Sequence, residues 1–174
     1  MNQKHVFQPM PIYEMDFNPF RQFKEDTCAI VTEVNGKANA MTASWGAMGE
    51  MWGKDVITIY VRESRFTREL LDQSETFSIN FFDMDKMENK MALQIFGSES
   101  GRDKDKIAEL KFNVNHSLNT PFLDESNLVF LCSKLSRTEI KKEDFFHPRI
   151  DSKFYENGDY HIMYIAEIMR VGAR

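Results

Sequence analysis

Three arginines and two hydroxyls crowd positions 62–68 of this 174-residue chain: Arg62, Ser64, Arg65, Thr67 and Arg68. They follow the run Val56, Ile57, Thr58, Ile59, Tyr60 and Val61, which reads as a strand, and they lead into the helical pattern Arg68, Glu69, Leu70, Leu71. Thr67 is expected to N-cap that helix, leaving unpaired backbone N–H groups and a positive dipole end facing outward. Arg62 and Arg65 offer charge-assisted bonds and Ser64 and Thr67 offer hydroxyl protons, so the chemistry on offer is phosphate binding. A capped helix with solvated arginines explains this segment, taken alone, equally well.

A second constellation precedes it: Met41, Thr42, Ala43, Ser44, Trp45 and Gly46. The small residues leave room for a flat ring to approach main-chain N–H and C=O groups, which suits the hydrogen-bonding edge of an isoalloxazine. Alternation puts Trp45 on the face opposite Ser44 and Gly46, so Trp45 and Trp52 read first as core or interface anchors. A ring at one end and a phosphate at the other imply a flavin nucleotide. Further along, the loop Gly97, Ser98, Glu99, Ser100, Gly101, Arg102, Asp103 reads alone as a polar turn whose Ser100 and Arg102 are able to meet an anion. His161 opens the last strand, within reach of a flavin or nicotinamide, although a lone histidine is more often a satisfied structural one.

The elements that must position these residues follow from periodicity. Pro9, Pro11 and Pro19 among aromatics make residues 1–22 an extended arm ending in the turn Asn18, Pro19, Phe20. Residues 27–34 read as a strand, Asn35-Gly36 as a hairpin turn and residues 38–45 as the returning strand, with a loop through Met51, Trp52 and Gly53. A helix over residues 67–73 and an alternating strand over residues 76–81 come next. Residues 86–96 read as a helix in their first two turns, with Met87 and Met91 as core filler, and residues 104–110 as a short charged helix. Strands are expected over residues 128–138 and 160–169, with His147-Pro148-Arg149 and Asn157-Gly158-Asp159 as turns between them. The β-α-β order at residues 56–81 imitates a dinucleotide-binding unit, but no GxGxxG follows a strand and the helix is short for a crossover. A mainly β, antiparallel barrel with a few inserted short helices is the better reading.

Four stretches together carry a resemblance. Residues 41–46, Tyr60-Val61-Arg62-Glu63-Ser64-Arg65-Phe66-Thr67, residues 97–103 and His161-Ile162-Met163-Tyr164-Ile165-Ala166-Glu167-Ile168 resemble, in order and spacing, the flavin reductase-like family, including flavoredoxin. The resemblance covers residues 20–169 and departs at Ala166, where many relatives have glycine. It implies the antiparallel split β-barrel fold and FMN as cofactor. Its motifs make Met41, Thr42, Ala43, Ser44, Trp45, Gly46, Arg62, Ser64, Arg65, Phe66, Thr67, Ser100, Arg102 and His161 the binding residues, with the 97–103 loop as lid or flavin contact. It also implies a homodimer with the flavin at the subunit interface. Two function classes follow: a reductase in which NADH or NADPH reduces bound FMN, and a flavoredoxin-like electron carrier served by a redox protein. Hydride transfer needs stacked rings at the correct distance, so neither a catalytic acid or base nor a metal is required.

Composition bounds the rest. A chain of 174 residues, 42% hydrophobic and 13% aromatic, suits one domain over residues 1–174 with a real core. A formal charge of −5 excludes a general nucleic-acid binder, since no basic excess neutralises a phosphate backbone. Cys28 and Cys132 lie far apart in apolar runs and read as reduced core residues rather than metal ligands or a disulfide. With a polar start (Met1, Asn2, Gln3, Lys4, His5) and no membrane-length apolar run, a cytoplasmic protein without membrane contact is expected.

Overall fold

The computed structural model describes residues 5–174; the polar start at residues 1–4 lies outside the described residues. Ten strands and five α-helical segments follow in order: β1 (Gln8–Pro9), α1 (Pro19–Arg21), β2 (Cys28–Val34), β3 (Lys37–Ala43), β4 (Gly46–Met51), β5 (Lys54–Arg62), α2 (Phe66–Gln73), β6 (Thr76–Phe81), α3 (Met87–Ser98), α4 (Lys106–Glu109), β7 (Val114–Ser117), β8 (Thr120–Leu123), β9 (Leu128–Glu139), α5 (Pro148–Phe154) and β10 (His161–Ala173). The main sheet runs β3-β2-β6-β9-β10-β5-β4, antiparallel throughout, with β1 on β10; β7 and β8 form a separate ribbon. The mainly β, antiparallel architecture is therefore present. Because β9 and β10 lie between β5 and β6, the β5-α2-β6 passage is no parallel crossover unit.

Strand β2 explains why so apolar a run forms here. Cys28 and Ile30 face one cluster with Phe77, Ile79 and Phe130, while Ala29 and Val31 face a second with Leu93, Phe96 and Ile107 beneath α3 and α4. A strand covered on both faces loses the usual polar alternation. Both cysteines are free and buried, and burial pushes the Cys28 thiol up to about 12, so they pack as small hydrophobes. Asn35 and Gly36, at φ 53° and 74°, form the expected β2-β3 turn; Trp52 and Gly53, at φ 58° and 71°, form another.

Several expectations are corrected. Residues 46–51 form β4 rather than a loop, and β3 ends at Ala43, because Ser44 and Trp45 carry the chain from one strand to the next. Part of the N-terminal arm is helical: Asn18 Oδ1 accepts from the N–H groups of Phe20 (3.1 Å) and Arg21 (3.3 Å), capping α1, which runs into a π-helical turn over Gln22–Asp26. The arm is also anchored, with Phe17 edge-on to Phe81 and Phe130. Helix α3 continues through Ser98, and it is Ala92, Leu93 and Phe96 that it buries; Met87 and Met91 are exposed, not core filler. Asp105 Oδ1 caps α4 at the Ala108 N–H, so that helix starts later than expected. Pro148 is the first residue of α5 rather than part of a turn, since its missing N–H costs nothing there. No helix among the described residues is long and apolar enough to cross a membrane.

Candidate functional site

The register of β5 against β10 builds the centre of the site. Arg62 is the cross-strand partner of His161, and Tyr60 is the partner of Met163, so the period of two puts Tyr60 and Arg62 on one face. Strand β3 ends the sheet path, leaving one backbone edge without a sheet neighbour. Its end and the Ser44-Trp45 step close a groove of roughly 230 Å³ lined by Met41, Thr42, Ala43, Ser44, Trp45, Tyr60, Arg62, Arg65 and His161. Eight of the residues singled out in the sequence thus meet at one place.

Arg62 is held from behind: its guanidinium donates to the Asp159 carbonyl at 2.6 Å and to the Phe154 carbonyl at 3.1 Å, and lies 5.3 Å from the Tyr155 ring centroid. Arg65 Nη1 donates to the Gly97 carbonyl at 3.0 Å, so the end of α3 aims it. Five N–H donors on each guanidinium leave others for an anion. His161 is buried and its Nδ1 lies 2.8 Å from the Tyr155 hydroxyl. Burial first, then the charge of Arg62, pushes its pKa from 6.5 down to about 4, so the ring is neutral at pH 7. Trp45 rests on it, ring centroids 4.6 Å apart. Thr42 donates to the Leu93 carbonyl at 2.5 Å, which fixes β3 to α3.

The other expected binding residues sit elsewhere. The Ser64 hydroxyl donates to Asp159 Oδ2 at 2.7 Å, and the Ser64 N–H to Oδ1 at 3.0 Å. Thr67 does not cap α2: Arg65 is the N-cap residue, and buried Thr67 lies inside the first turn, where its Oγ1 accepts from Asn39 Nδ2 at 2.9 Å. Of the first-turn N–H groups of α2, that of Arg68 bonds to the Arg65 carbonyl at 3.0 Å, whereas Phe66 and Thr67 have no helical carbonyl before them. Phe66 lines a different cavity of roughly 470 Å³ between β3, α2 and α4. Arg102 covers the Phe66 ring at 5.3 Å and is ion-paired to Glu69, and Ser100 Oγ accepts from the Arg102 N–H at 3.2 Å. Gly97 and Ser98 belong to α3 and not to a loop. Gly101 is glycine because of close approach: an added Cβ would lie 1.9 Å from Asn39 Oδ1. Gly46 likewise makes room for Phe23, whose ring would be 2.4 Å from a Cβ there.

Sequence reasoning missed Tyr60, Tyr155 and Asp159. Tyr60 had a signal, lying two positions before Arg62 on a strand. Tyr155 and Asp159 had none, because only the return of the chain after α5 brings them behind the groove. Beside the groove, and sharing Ser44, Trp45 and Tyr60 with it, lies an apolar cavity of roughly 750 Å³ lined by Phe20, Phe23, Met48, Phe145, Ile150 and Tyr155 among others.

Comparison with known proteins adds to this geometry. A model of the family described as flavin reductase like domain matches residues 20–174. No curated protein was found to match. Among solved structures, an FMN-binding domain of a flavin reductases-like enzyme from Shewanella baltica OS155 gives a TM-score of 0.68 at 16% identity, over 99% of this chain and 79% of that one. Flavoredoxin from Methanosarcina acetivorans gives 0.66 at 18% identity, over 100% and 76% of the two chains. An FMN-binding protein from Thermus thermophilus, solved with bound p-hydroxybenzaldehyde, gives 0.66 at 18% identity, over 100% and 82%. At such identities the likeness establishes the fold, an antiparallel split barrel.

Proposed function

Because this chain belongs to the flavin reductase-like domain family, we propose that it binds FMN in the groove between β3, β5 and β10 and works as an FMN-dependent oxidoreductase. One observation carries the reading: two aimed guanidiniums, Arg62 and Arg65, share a groove with the end of the edge strand β3 and the Ser44-Trp45 step that follows it. This donor set fits a flavin mononucleotide, cationic where a phosphate would lie and main-chain where the polar edge of a ring would lie. FMN, when bound, supplies two-electron and one-electron chemistry. The protein's own residues bind and orient. Arg62 and Arg65 hold the phosphate, the main chain of Ala43, Ser44 and Trp45 fixes the ring edge, and Trp45 shields the ring from water. Neutral His161, steadied by Tyr155, puts no additional positive charge beside it.

NADH or NADPH is the proposed electron donor, its nicotinamide stacking in the apolar cavity next to the groove. The second reading is a flavoredoxin-like carrier, favoured by Phe20, which is 86% exposed on the wall of that cavity and would suit a protein partner. Anaerobic mixing of the FMN-loaded protein with NADH and NADPH separates them. Rapid bleaching of the flavin supports the reductase, and bleaching only with a reduced protein partner supports the carrier. Failure of the protein to retain FMN on gel filtration would overturn both. A homodimer with FMN near the subunit interface follows from the same family reading, and a sedimentation mass near the 20.4 kDa monomer with FMN present would contradict it. The free, buried Cys28 and Cys132 suit a reducing cytoplasm.

A further inference from the structure

An unbroken series of aromatic rings leads away from the groove. Trp45, 38% exposed at its mouth, lies 4.6 Å from His161. His161 lies edge-on to Tyr155 at 5.5 Å, and Tyr155 stacks on Tyr160 at 4.8 Å with an interplanar angle of 20°. Phe145 packs against both phenol rings, 5.5 Å from Tyr155 and 6.4 Å from Tyr160, which fixes the pair in place. Each phenol also meets a base: the Tyr155 hydroxyl is 2.8 Å from His161 Nδ1, and the Tyr160 hydroxyl donates to Asp151 Oδ1 at 2.6 Å. Tyr160 is half-buried, so the series starts at the groove and ends at solvent.

Buried phenols ordinarily find a hydrogen-bond partner, and here each of the two partners is also a base. A tyrosine gives up an electron readily only when its proton leaves with it, because the protonated phenol radical is a very strong acid. In the tautomer that carries its proton on Nε2, neutral His161 takes the proton from Tyr155 at Nδ1, and the Asp151 carboxylate takes that from Tyr160. Asp151 holds the Tyr160 phenol in its protonated, donating form, pushing it up to about 12.

We propose that Trp45, Tyr155 and Tyr160 form a hole-transfer relay that carries a one-electron oxidising equivalent from the groove to the protein surface. The oxidant is a radical derived from dioxygen, of the kind a redox-active groove must survive; that setting rests on the proposed function, whereas the relay itself does not. The steps balance. The radical takes one electron from the Trp45 indole and becomes an anion. Tyr155 returns an electron to Trp45 and passes its proton to His161. Tyr160 then returns an electron to Tyr155, which recovers its proton from His161, while the Tyr160 proton goes to Asp151. The hole rests at the half-buried Tyr160 phenoxyl, where a soluble thiol or ascorbate reduces it by one electron and Asp151 gives the proton back.

Pulse radiolysis with the azide radical, which oxidises indole and is itself reduced to azide, tests this with or without FMN loaded. A Trp52→Phe background removes the other tryptophan, which is 59% exposed on the β4-β5 turn. In that protein, indolyl-radical absorption should give way to phenoxyl-radical absorption at a rate independent of protein concentration. Tyr155→Phe should abolish that conversion and leave the indolyl radical long-lived. Tyr160→Phe should leave a phenoxyl radical that ascorbate reduces slowly. Tyr13→Phe, an exposed tyrosine bonded to Asp55 away from the series, should change nothing. Circular dichroism of each variant keeps misfolding separate from loss of transfer. Phenoxyl growth at an unchanged rate in folded Tyr155→Phe would overturn the relay, whatever the outcome of FMN binding.

Discussion

Replacing Thr67 with valine separates two roles for one hydroxyl. As a phosphate ligand, Thr67 would matter only when an anion is bound. The structure instead buries it at 2% exposure, accepting a 2.9 Å bond from Asn39 Nδ2 and so tying α2 to β3. Valine keeps the shape and removes the acceptor, stranding a buried amide donor. That costs about 1–3 kcal/mol. Asn39 also borders the cavity of roughly 470 Å³, which gives water a route to the stranded donor and favours the lower half of that range. For a chain of this size each kcal/mol moves Tm by about 2–4 °C, so a fall of roughly 2–8 °C is expected. Thermal unfolding followed by circular dichroism without flavin measures it. A cycle with Asn39→Ala should show the two changes costing less together than their sum, since the second removes the group stranded by the first. An unchanged Tm in flavin-free Thr67→Val, accompanied by weaker FMN binding, would refute the structural role and restore the phosphate role.

Arg65→Ala should weaken FMN binding by about 1–3 kcal/mol in a fluorescence titration, through loss of a charge-assisted bond, and wild-type affinity would remove Arg65 from the phosphate site. Arg102→Ala should lower the thermal midpoint slightly, through loss of the Glu69 pair and the Phe66 contact, and leave the flavin reduction rate unchanged. A slowed rate at an unaltered midpoint would instead make the 99–103 loop a lid. Acidification should cost stability through His161. Its folded pKa of about 4 lies below the ordinary 6.5, so the unfolded chain takes up the proton first, and stability present above pH 6.5 is lost as pH falls towards 4. The loss is about 1–3 kcal/mol, and urea midpoints at pH 7 and pH 4.5 should differ more in the wild type than in His161→Phe. Equal differences would remove His161 as the cause.

Local signals along the chain mark several of the elements and the arginines that line the groove. Alternation at residues 76–81 marks β6 at its observed limits, Asn35-Gly36 marks its turn, and the arginines after an apolar run mark the cationic end of the site. These signals are local: the pleat repeats every two residues, and a φ above zero selects glycine or asparagine. Strand β4 was not legible, because Gly46, Ala47 and Gly49 have low strand propensity and only pairing with β5 makes them extended. What the Ser64 and Thr67 hydroxyls bond to within the chain was not legible either. Ser64 and Thr67 have the same donor chemistry, but Asp159 reaches one and Asn39 the other only after distant segments fold together. The same holds for His161. Its type and place on a strand were plain, whereas its neutral state comes from burial beside Arg62, and its partners Trp45 and Tyr155 come from a chain that returns to the groove by two different routes. Desolvation and long-range contact are properties of the assembled barrel, and no spacing along the chain encodes them.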